Sequence, residues 1–199
     1  TTAVRVLGAD TTFKTSVYQL APKEFALVGE SDPWLTASKF EAGKYHRAFS
    51  PYLINKILQA NPSLHTITLK SYGVYQTDIK LLQQYFRHRL LIKTQSLSAS
   101  EVSGLTDGAK LGEISSPSVS DIVKFTLLWS DNILADRLAR TAAKKAGFAT
   151  DETGIQNVFE ATLNTLQIPA TGLQVFDGNG LSHDDRVSPR TIADRKSTV

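Results

Sequence analysis

The sequence predicts a mixed α/β (α+β) domain, because two periodicities alternate along its 199 residues. Apolar and polar residues alternate at 13–19 and at 25–29, which is the spacing typical of strands. Apolar residues three and four positions apart at 50–60 and 118–129 indicate helices that bury one face. Strands mixed with helices, followed by a long helical stretch, favour an α/β or α+β arrangement.

The first half of the chain predicts a hairpin, a helix and a further strand. Turn formers at 21–23 separate the two alternating segments, so we expect two short antiparallel strands there. Pro51 stands near the start of the first helical stripe, and residues 61–62, Asn-Pro, provide a stop signal. Residues 65–75 alternate again and predict a strand.

Asp78 is predicted to cap the next helix, which would reach Leu90. Residues 94–109 are rich in Ser, Thr, Gly and Ala, so we interpret them as a loop or a domain boundary.

Three helices are predicted in the last ninety residues. Ser118 or Ser120 would cap the first, and the apolar pattern pauses at 130–132. The second is expected to stop at Gly147, and the third covers 153–166.

A short strand, a turn and a final helix are expected after them. Residues 173–176 predict the strand and 177–180, Asp-Gly-Asn-Gly, a tight turn. Ser188 followed by Pro189 is typical of an N-cap with proline at the first helical position.

The composition narrows the possible partners. The formal net charge is +3 without a dense Lys/Arg run, so we expect no nucleic-acid partner, because tracking phosphates requires a basic stripe. The chain has no cysteine and its four histidines are scattered, so neither a metal site nor another cofactor is predicted. No apolar run approaches the roughly 18 residues of a membrane span. Because it lacks methionine and begins with threonine, we expect a processed protein or an excised piece.

The triplet Ser130-Asp131-Asn132 is the main candidate for chemistry. A serine hydroxyl can accept and donate a proton, so Ser130 could relay one between a base and a leaving amine. The Asn132 carboxamide could hold a peptide bond, whereas Asp131 is expected to fix the turn. Taken alone, the triplet is more typical of a helix cap, and residues 177–180 are typical of an ordinary glycine turn.

Two longer blocks carry a family resemblance. Residues 118–140 resemble the segment around the second motif of class C low-molecular-mass penicillin-binding proteins, the serine-type D-alanyl-D-alanine carboxypeptidase/endopeptidases. Residues 176–190 are similar to the D-G-S-G-L-S…R-V-(S/T)-P stretch of the same family. A weaker match covers residues 7–33, and residues 36–104 show little resemblance.

The resemblance implies a fold, a substrate and a location. The fold would be the penicillin-binding/β-lactamase-like transpeptidase fold, partial and with a small inserted region. Residues 1–40 and 105–199 would form the DD-peptidase-like domain, and 41–104 a reduced insertion. The substrate would be the peptidoglycan stem peptide, with β-lactams as further ligands, in an extracytoplasmic setting.

The same resemblance assigns roles to five residues. Ser130 would protonate the leaving D-alanine nitrogen and bridge two catalytic lysines. Asn132 would hold the amide of the substrate's acyl side chain. Asp177, Gly178 and Ser182 would be substrate-binding residues that shape the cleft rather than act chemically.

Two further motifs of the family mechanism are not found. No serine precedes a lysine by three positions, although that spacing places the base beside the hydroxyl on a helix. Thr11 and Lys14 have the spacing but lie in strand-like sequence, and Lys93-Thr94 lacks the glycine of K-T-G. We therefore expect the central part of such an enzyme without its ends, whether as a truncated piece or as a degenerate relative.

Three functions remain open from the sequence. The first is part of a D-Ala-D-Ala carboxypeptidase/endopeptidase that works through an acyl-serine. The second is a non-catalytic relative that binds the stem peptide or a protein partner. The third is a β-lactamase, which shares Ser-Asp-Asn, but the block at 176–190 argues against it.

Overall fold

The structure, a computed structural model, describes residues 1–197 and divides into two compact units. The helical unit combines Thr1–Thr11 with the chain from Ser118 onward, and the sheet unit comprises Thr12–Pro117. Strands and helices alternate as expected, so the predicted mixed α/β class is confirmed.

The unit boundaries lie close to residues 11 and 117, whereas the sequence suggested 40 and 104. An inserted origin of residues 41–104 stays a prediction. Residues 198–199 of the expected 105–199 segment lie outside the described part of the chain.

The elements follow one another in mixed order along the chain. The described helices are α1 (Thr2–Leu7), α2 (Lys39–Tyr45), α3 (Pro51–Ala60), α4 (Gln76–Phe86), α5 (Ala99–Ser103), α6 (Val119–Trp129), α7 (Asn132–Lys145), α8 (Glu152–Thr165) and α9 (Pro189–Ser197). The described strands are β1 (Lys14–Ala21), β2 (Glu24–Gly29), β3 (Leu35–Thr36), β4 (Ala48–Phe49), β5 (Thr66–Tyr72), β6 (Leu91–Ser96) and β7 (Lys110–Ser115).

The sheet unit is built on a five-stranded mixed sheet with the order β6-β5-β2-β1-β7. β1 and β2 form the predicted antiparallel hairpin, with Val17 opposite Leu27. β5 and β6 run parallel to β2, while β7 runs antiparallel to β1. Leu53, Ile54 and Ile57 of α3 are fully buried in the core that covers this sheet. The predicted helix at 50–60 is therefore confirmed, with Pro51 in its first turn.

In the helical unit, α1, α6, α7 and α8 pack against one another. The Ser118 hydroxyl accepts a hydrogen bond from the Asp121 amide at 3.2 Å, so of the two predicted caps Ser118 is the correct one. Leu134, Leu138 and Ala142 recur at helical spacing and are buried, which fixes the face of α7 that turns inward. Asn132 and Ile133, in the first turn of α7, remain exposed.

Two predictions about local structure in the sheet unit were wrong. Tyr75 occupies the N-cap position of α4 without a side-chain capping bond, and Asp78 lies buried in the first turn of the helix. The expected loop at 94–109 contains the end of β6 and all of α5. β6 is a mostly exposed edge strand held by its ladder with β5, so its polar residues gave no apolar alternation.

The strand predicted at 173–176 is reduced to a single bridge. Gln174 pairs with Arg186, and the two residues exchange both backbone hydrogen bonds at 2.8 Å. The Val175 amide instead donates to the side chain of Gln156 at 2.6 Å, which takes the place of a neighbouring strand.

Among residues 1–197, no helix combines the length and the apolar character that crossing a bilayer requires.

The Glu113 carboxylate, on β7, gives a testable pH dependence. Its pKa is held below the ordinary value, first by the Ser16 hydroxyl at 2.9 Å and then by the Lys110 ammonium at 3.1 Å. This stabilisation is complete above the pKa of the unfolded chain and is lost as pH falls through the lower pKa of the folded one. We expect Glu113→Gln to lower the urea midpoint of unfolding at pH 7 and to have a progressively smaller effect as the pH falls below the ordinary glutamate pKa of about 4.3.

Urea titrations followed by circular dichroism at several pH values measure this difference. Ser16→Ala should reduce the pH dependence of the parent chain, because it removes the largest contribution to the shifted pKa. A difference between Glu113→Gln and the parent that stays constant from pH 7 to pH 3 would contradict the assignment.

Candidate active site

The Ser130-Asp131-Asn132 turn joins α6 to α7. Ser130 ends α6 with φ 51° and ψ 45°, in the left-handed region that non-glycine residues occupy at a cost of about 1–2 kcal/mol. The Asp131 amide donates to the carbonyl of Thr126 at 3.0 Å, and its Oδ1 accepts from the Leu134 amide at 3.0 Å. Asp131 thus fixes the turn as the N-cap of α7, as expected from the sequence.

Ser130 and Asn132 are both exposed at this turn. Within residues 1–197, neither the Ser130 hydroxyl nor the Asn132 carboxamide is engaged by another side chain. A hydroxyl can pass a proton and a carboxamide can both donate and accept, so the turn offers an external ligand two unoccupied polar groups.

A second turn, from Asp177 to Ser182, is organised by one carboxylate. Asp177 Oδ1 accepts from the amides of Asn179 at 3.1 Å and Gly180 at 2.6 Å. Its Oδ2 accepts from the amide of Ser182 at 2.8 Å. The Asp177 carboxylate is therefore occupied within its own turn, which it holds in one shape.

The second turn packs on the N-terminal half of α7, beside the first. The Gly178 amide donates to Asp136 Oδ1 at 3.2 Å, and the Asn179 side-chain amide donates to the carbonyl of Asn132 at 3.4 Å. A Cβ added at Gly178 would stand 2.5 Å from the carbonyl oxygen of Ala135. Only glycine permits an approach this close, so the glycine has a packing role at this position.

Hydrogen bonds on both sides hold the segment that carries the second turn. The Gln174–Arg186 bridge closes its base, and the Phe176 amide donates to Asp185 Oδ1 at 2.8 Å. On α8, Gln156 Nε2 donates to the carbonyl of Leu173 at 3.0 Å. These bonds hold a segment that has no regular secondary structure of its own.

Large apolar side chains surround the first turn at the surface. Leu128 and Trp129 are 74% and 54% exposed. Leu127 and Ile133 are exposed as well. Contiguous exposed apolar groups are characteristic of interaction surfaces and ligand-binding grooves.

The structure brings all five predicted site residues to two adjacent turns. Ser130 and Asn132 lie on the first turn, and Asp177 and Gly178 on the second, packed against it. Ser182 ends the second turn, where its hydroxyl accepts from the Asp184 amide at 3.2 Å. The chemical and substrate-binding roles of these residues stay predictions.

Asp136 and Asn179 are two site residues that sequence reasoning missed. Asp136 pairs with Arg140 four residues later at 2.6 Å, a spacing that in the sequence indicates only a surface ion pair. Asn179 was interpreted as part of an ordinary turn. Their contacts join segments 42 and 47 residues apart, which no local pattern reveals.

The Thr11–Lys14 pair, which has the spacing of a nucleophile and its base, does not lie on one helix. Lys14 opens strand β1 and pairs with Glu113 at 3.6 Å, so it does not follow Thr11 on a helix. Among residues 1–197, no group of three or more His, Cys, Asp or Glu side chains could hold a metal ion.

Comparisons of the sequence with known proteins find similarity to carboxypeptidases. Residues 66–195 match the model of the D-Ala-D-Ala carboxypeptidase 3 (S13) family. This range contains both turns and includes residues 66–104, for which the sequence alone showed little resemblance. Over 90 residues, the chain is 27% identical to carboxypeptidase DacB of Mycolicibacterium smegmatis, covering 45% of this chain and 20% of that protein.

Two solved structures share the fold. Penicillin binding protein 4 (dacB) from Haemophilus influenzae, complexed with a β-lactam, gives a TM-score of 0.62 at 14% identity, covering 96% of this chain and 64% of that chain. Bd3459, a predatory peptidoglycan endopeptidase from Bdellovibrio bacteriovorus, gives 0.53 at 14% identity, covering 99% and 60%. The chain thus spans about a fifth of DacB and less than two thirds of either structure.

The N-cap at Asp131 gives the first prediction for this site. Asp131→Ala removes the acceptor for the Leu134 amide and should lower the free energy of unfolding by about 1 kcal/mol. Asp131→Asn keeps an acceptor oxygen and should cost only a few tenths of that amount. Denaturant titrations of both variants measure the difference. Equal losses of unfolding free energy in the two variants would show that the acceptor oxygen at this position does not stabilise α7.

The close approach of Gly178 gives the second. The methyl group of Gly178→Ala would meet α7, so we expect a loss of about 1–3 kcal/mol and changed NMR signals for Asn132. Gly43→Ala is the matched control, because a Cβ there meets nothing within 4 Å and alanine favours the helix. If both variants were as stable as the parent chain, the second turn would not be packed on α7 in solution.

Proposed function

Because the chain belongs to the D-Ala-D-Ala carboxypeptidase 3 (S13) family, we propose that it is part of a serine-type D-Ala-D-Ala carboxypeptidase/endopeptidase of peptidoglycan stem peptides. It is similar to the low-molecular-mass class C penicillin-binding proteins, and its fold is the mixed α/β fold of penicillin binding protein 4, partially covered. In this enzyme the chain would contribute the Ser-Asp-Asn motif.

One observation carries the proposal. The Ser130–Asn132 turn and the Asp177–Ser182 turn, which resemble two separate family blocks, pack against each other on α7. Both lie within the range that matches the family model. A chance occurrence of the Ser-Asp-Asn triplet would not explain this contact with the second family block.

The proposed reaction is acyl transfer through an acyl-serine. A serine oxygen attacks the carbonyl carbon of the penultimate D-alanine, the bond to the terminal D-alanine nitrogen breaks, and water later hydrolyses the ester. The leaving nitrogen needs a proton, which the exposed Ser130 hydroxyl would donate and regain through the catalytic lysines.

Asn132 would act as a clamp in this reaction. Its carboxamide would hold the amide of the substrate's acyl side chain, while the apolar groups around Ser130 would contact the alanine methyl groups. Neither S-x-x-K nor K-T-G occurs in the 199 residues, so the nucleophile and its base would come from outside this chain.

A non-catalytic relative is the second candidate. The absence of S-x-x-K from the sequence favours it, because the same two turns could bind a stem peptide without cleaving it. The penicillin binding protein 4 structure contains a β-lactam, so we propose that β-lactams are ligands of the same surface. Either function would place the chain outside the cytoplasm, where peptidoglycan lies.

A fluorescent penicillin tests the assignment of the nucleophile. We expect no covalent band on a denaturing gel after incubation with the 199-residue chain, because acylation requires the missing serine–lysine pair. The Haemophilus influenzae protein provides the positive control for labelling. A band on this chain would overturn the claim that it lacks a nucleophile.

Peptide titration by NMR tests the proposed binding surface. A peptide ending in D-Ala-D-Ala should shift amide signals of residues 130–132 and 177–182, and the L-Ala-L-Ala peptide should not. Asn132→Ala should weaken binding about tenfold, because a peptide amide that becomes buried in the complex loses its hydrogen-bond partner. Asn164→Ala is the matched control, since Asn164 is an exposed asparagine on α8.

The dissociation constant distinguishes the two candidates. Micromolar binding by the folded chain supports a stem-peptide-binding relative, whereas millimolar binding supports an incomplete part of an enzyme. Shifts confined to other surfaces, or equal effects of the two peptides, would contradict both.

A further inference from the structure

The carboxylate of Asp136 connects the two turns of the site. Its Oδ1 accepts from the Gly178 amide at 3.2 Å, while its Oδ2 accepts from Arg140 Nε at 2.6 Å. Arg140 in turn donates through Nη1 to the carbonyl of Thr150 at 2.6 Å. The Asp136 side chain is only 24% exposed, so its orientation is fixed from both sides.

The Gly178 amide can reach Asp136 only because the second turn lies directly on α7. A Cβ at Gly178 would stand 2.5 Å from Ala139 Cβ and 2.8 Å from Asp136 Cα. At this separation a turn displaced by an ångström would lose its hydrogen bond to Asp136.

Asn179 supplies a second attachment point. Its Nδ2 donates to the carbonyl of Asn132 at 3.4 Å, and its Oδ1 accepts from the Leu181 amide at 3.0 Å. One side chain therefore bridges the backbone of the second turn and the backbone of the candidate clamp residue.

We infer that Asp136 is a positioning residue, which together with Asn179 holds the second turn in register with Asn132. The Asp136 carboxylate sets where the Asp177–Ser182 turn lies along α7, and Asn179 transmits that position to Asn132. Loss of Asp136 would leave both turns intact but misplace them relative to each other. The consequence for peptide binding rests on the proposed function.

A purely structural role for Asp136 is the competing explanation. The Asp136–Arg140 pair is spaced four residues apart on one helix, and such pairs stabilise helices slightly without any connection to a site. The two explanations differ in which variant restores the wild-type behaviour. Asp136→Asn loses the ion pair but keeps an acceptor oxygen for Gly178, and Arg140→Gln loses the ion pair but keeps Asp136.

Amide hydrogen exchange of the 199-residue chain, followed by NMR, is the test. We expect exchange at Gly178 to be at least about tenfold faster in Asp136→Ala than in the parent chain. It should return to within about twofold of the parent in Asp136→Asn and stay unchanged in Arg140→Gln. Asp184→Ala, a change at an exposed carboxylate beside the same turn, is the control and should have no effect.

Asn179→Ala tests the other attachment point and serves if Asp136→Ala does not fold. Exchange at Leu181 should become faster, and the amide signals of Asn132 should shift. Unchanged Gly178 exchange in Asp136→Ala, or equal effects of Arg140→Gln and Asp136→Ala, would overturn the positioning role. Unchanged Asn132 signals in Asn179→Ala would overturn the connection to the clamp.

Peptide titration of the same variants separates this role from the proposed function. Asp136→Ala should weaken D-Ala-D-Ala binding severalfold, and Asp136→Asn should restore it. If the parent chain bound no peptide while Gly178 exchange behaved as expected, the proposed function would fail and the positioning role would stand.

Discussion

The close packing of Gly178 on α7 is the contact on which the candidate site depends. The second turn carries no regular secondary structure. Its position therefore depends on side-chain hydrogen bonds and on the lack of a side chain at Gly178. Asp177 gives the turn its shape, and Asp136 gives it an anchor on the helix. The second turn therefore lies beside the start of α7. There Asn179 donates a hydrogen bond to the carbonyl of Asn132, which is 47 residues earlier in the chain.

The first turn shows a local conflict of the kind that functional sites tolerate. Ser130 adopts a left-handed conformation although a glycine would do so without cost, and it stays exposed with a free hydroxyl within the described residues. Its position between two helices is stabilised by Asp131, which caps α7. The strain at Ser130 is therefore offset by its neighbour, and the hydroxyl stays exposed.

Local rules predicted much of the fold and the two turns of the candidate site, but not the contact between these turns. Alternation predicted the β1–β2 hairpin, and the cap at Ser118 predicted the start of α6. β6 was missed because an exposed edge strand needs no apolar alternation, and residues 173–176 bond to Gln156 rather than to a strand. The triplet and the glycine turn were predicted as candidates. Their contact through Asp136 and Asn179 was not, because it depends on how α7 and a distant loop pack.

A crystal structure of the chain grown with a peptide ending in D-Ala-D-Ala is the most direct test of peptide binding at the two turns. We expect peptide density on the surface formed by Ser130, Asn132 and the Asp177–Ser182 turn, with the Asn132 carboxamide hydrogen-bonded to the amide of the acyl side chain. Density on another surface, or an occupied site in which the second turn has left α7, would contradict it.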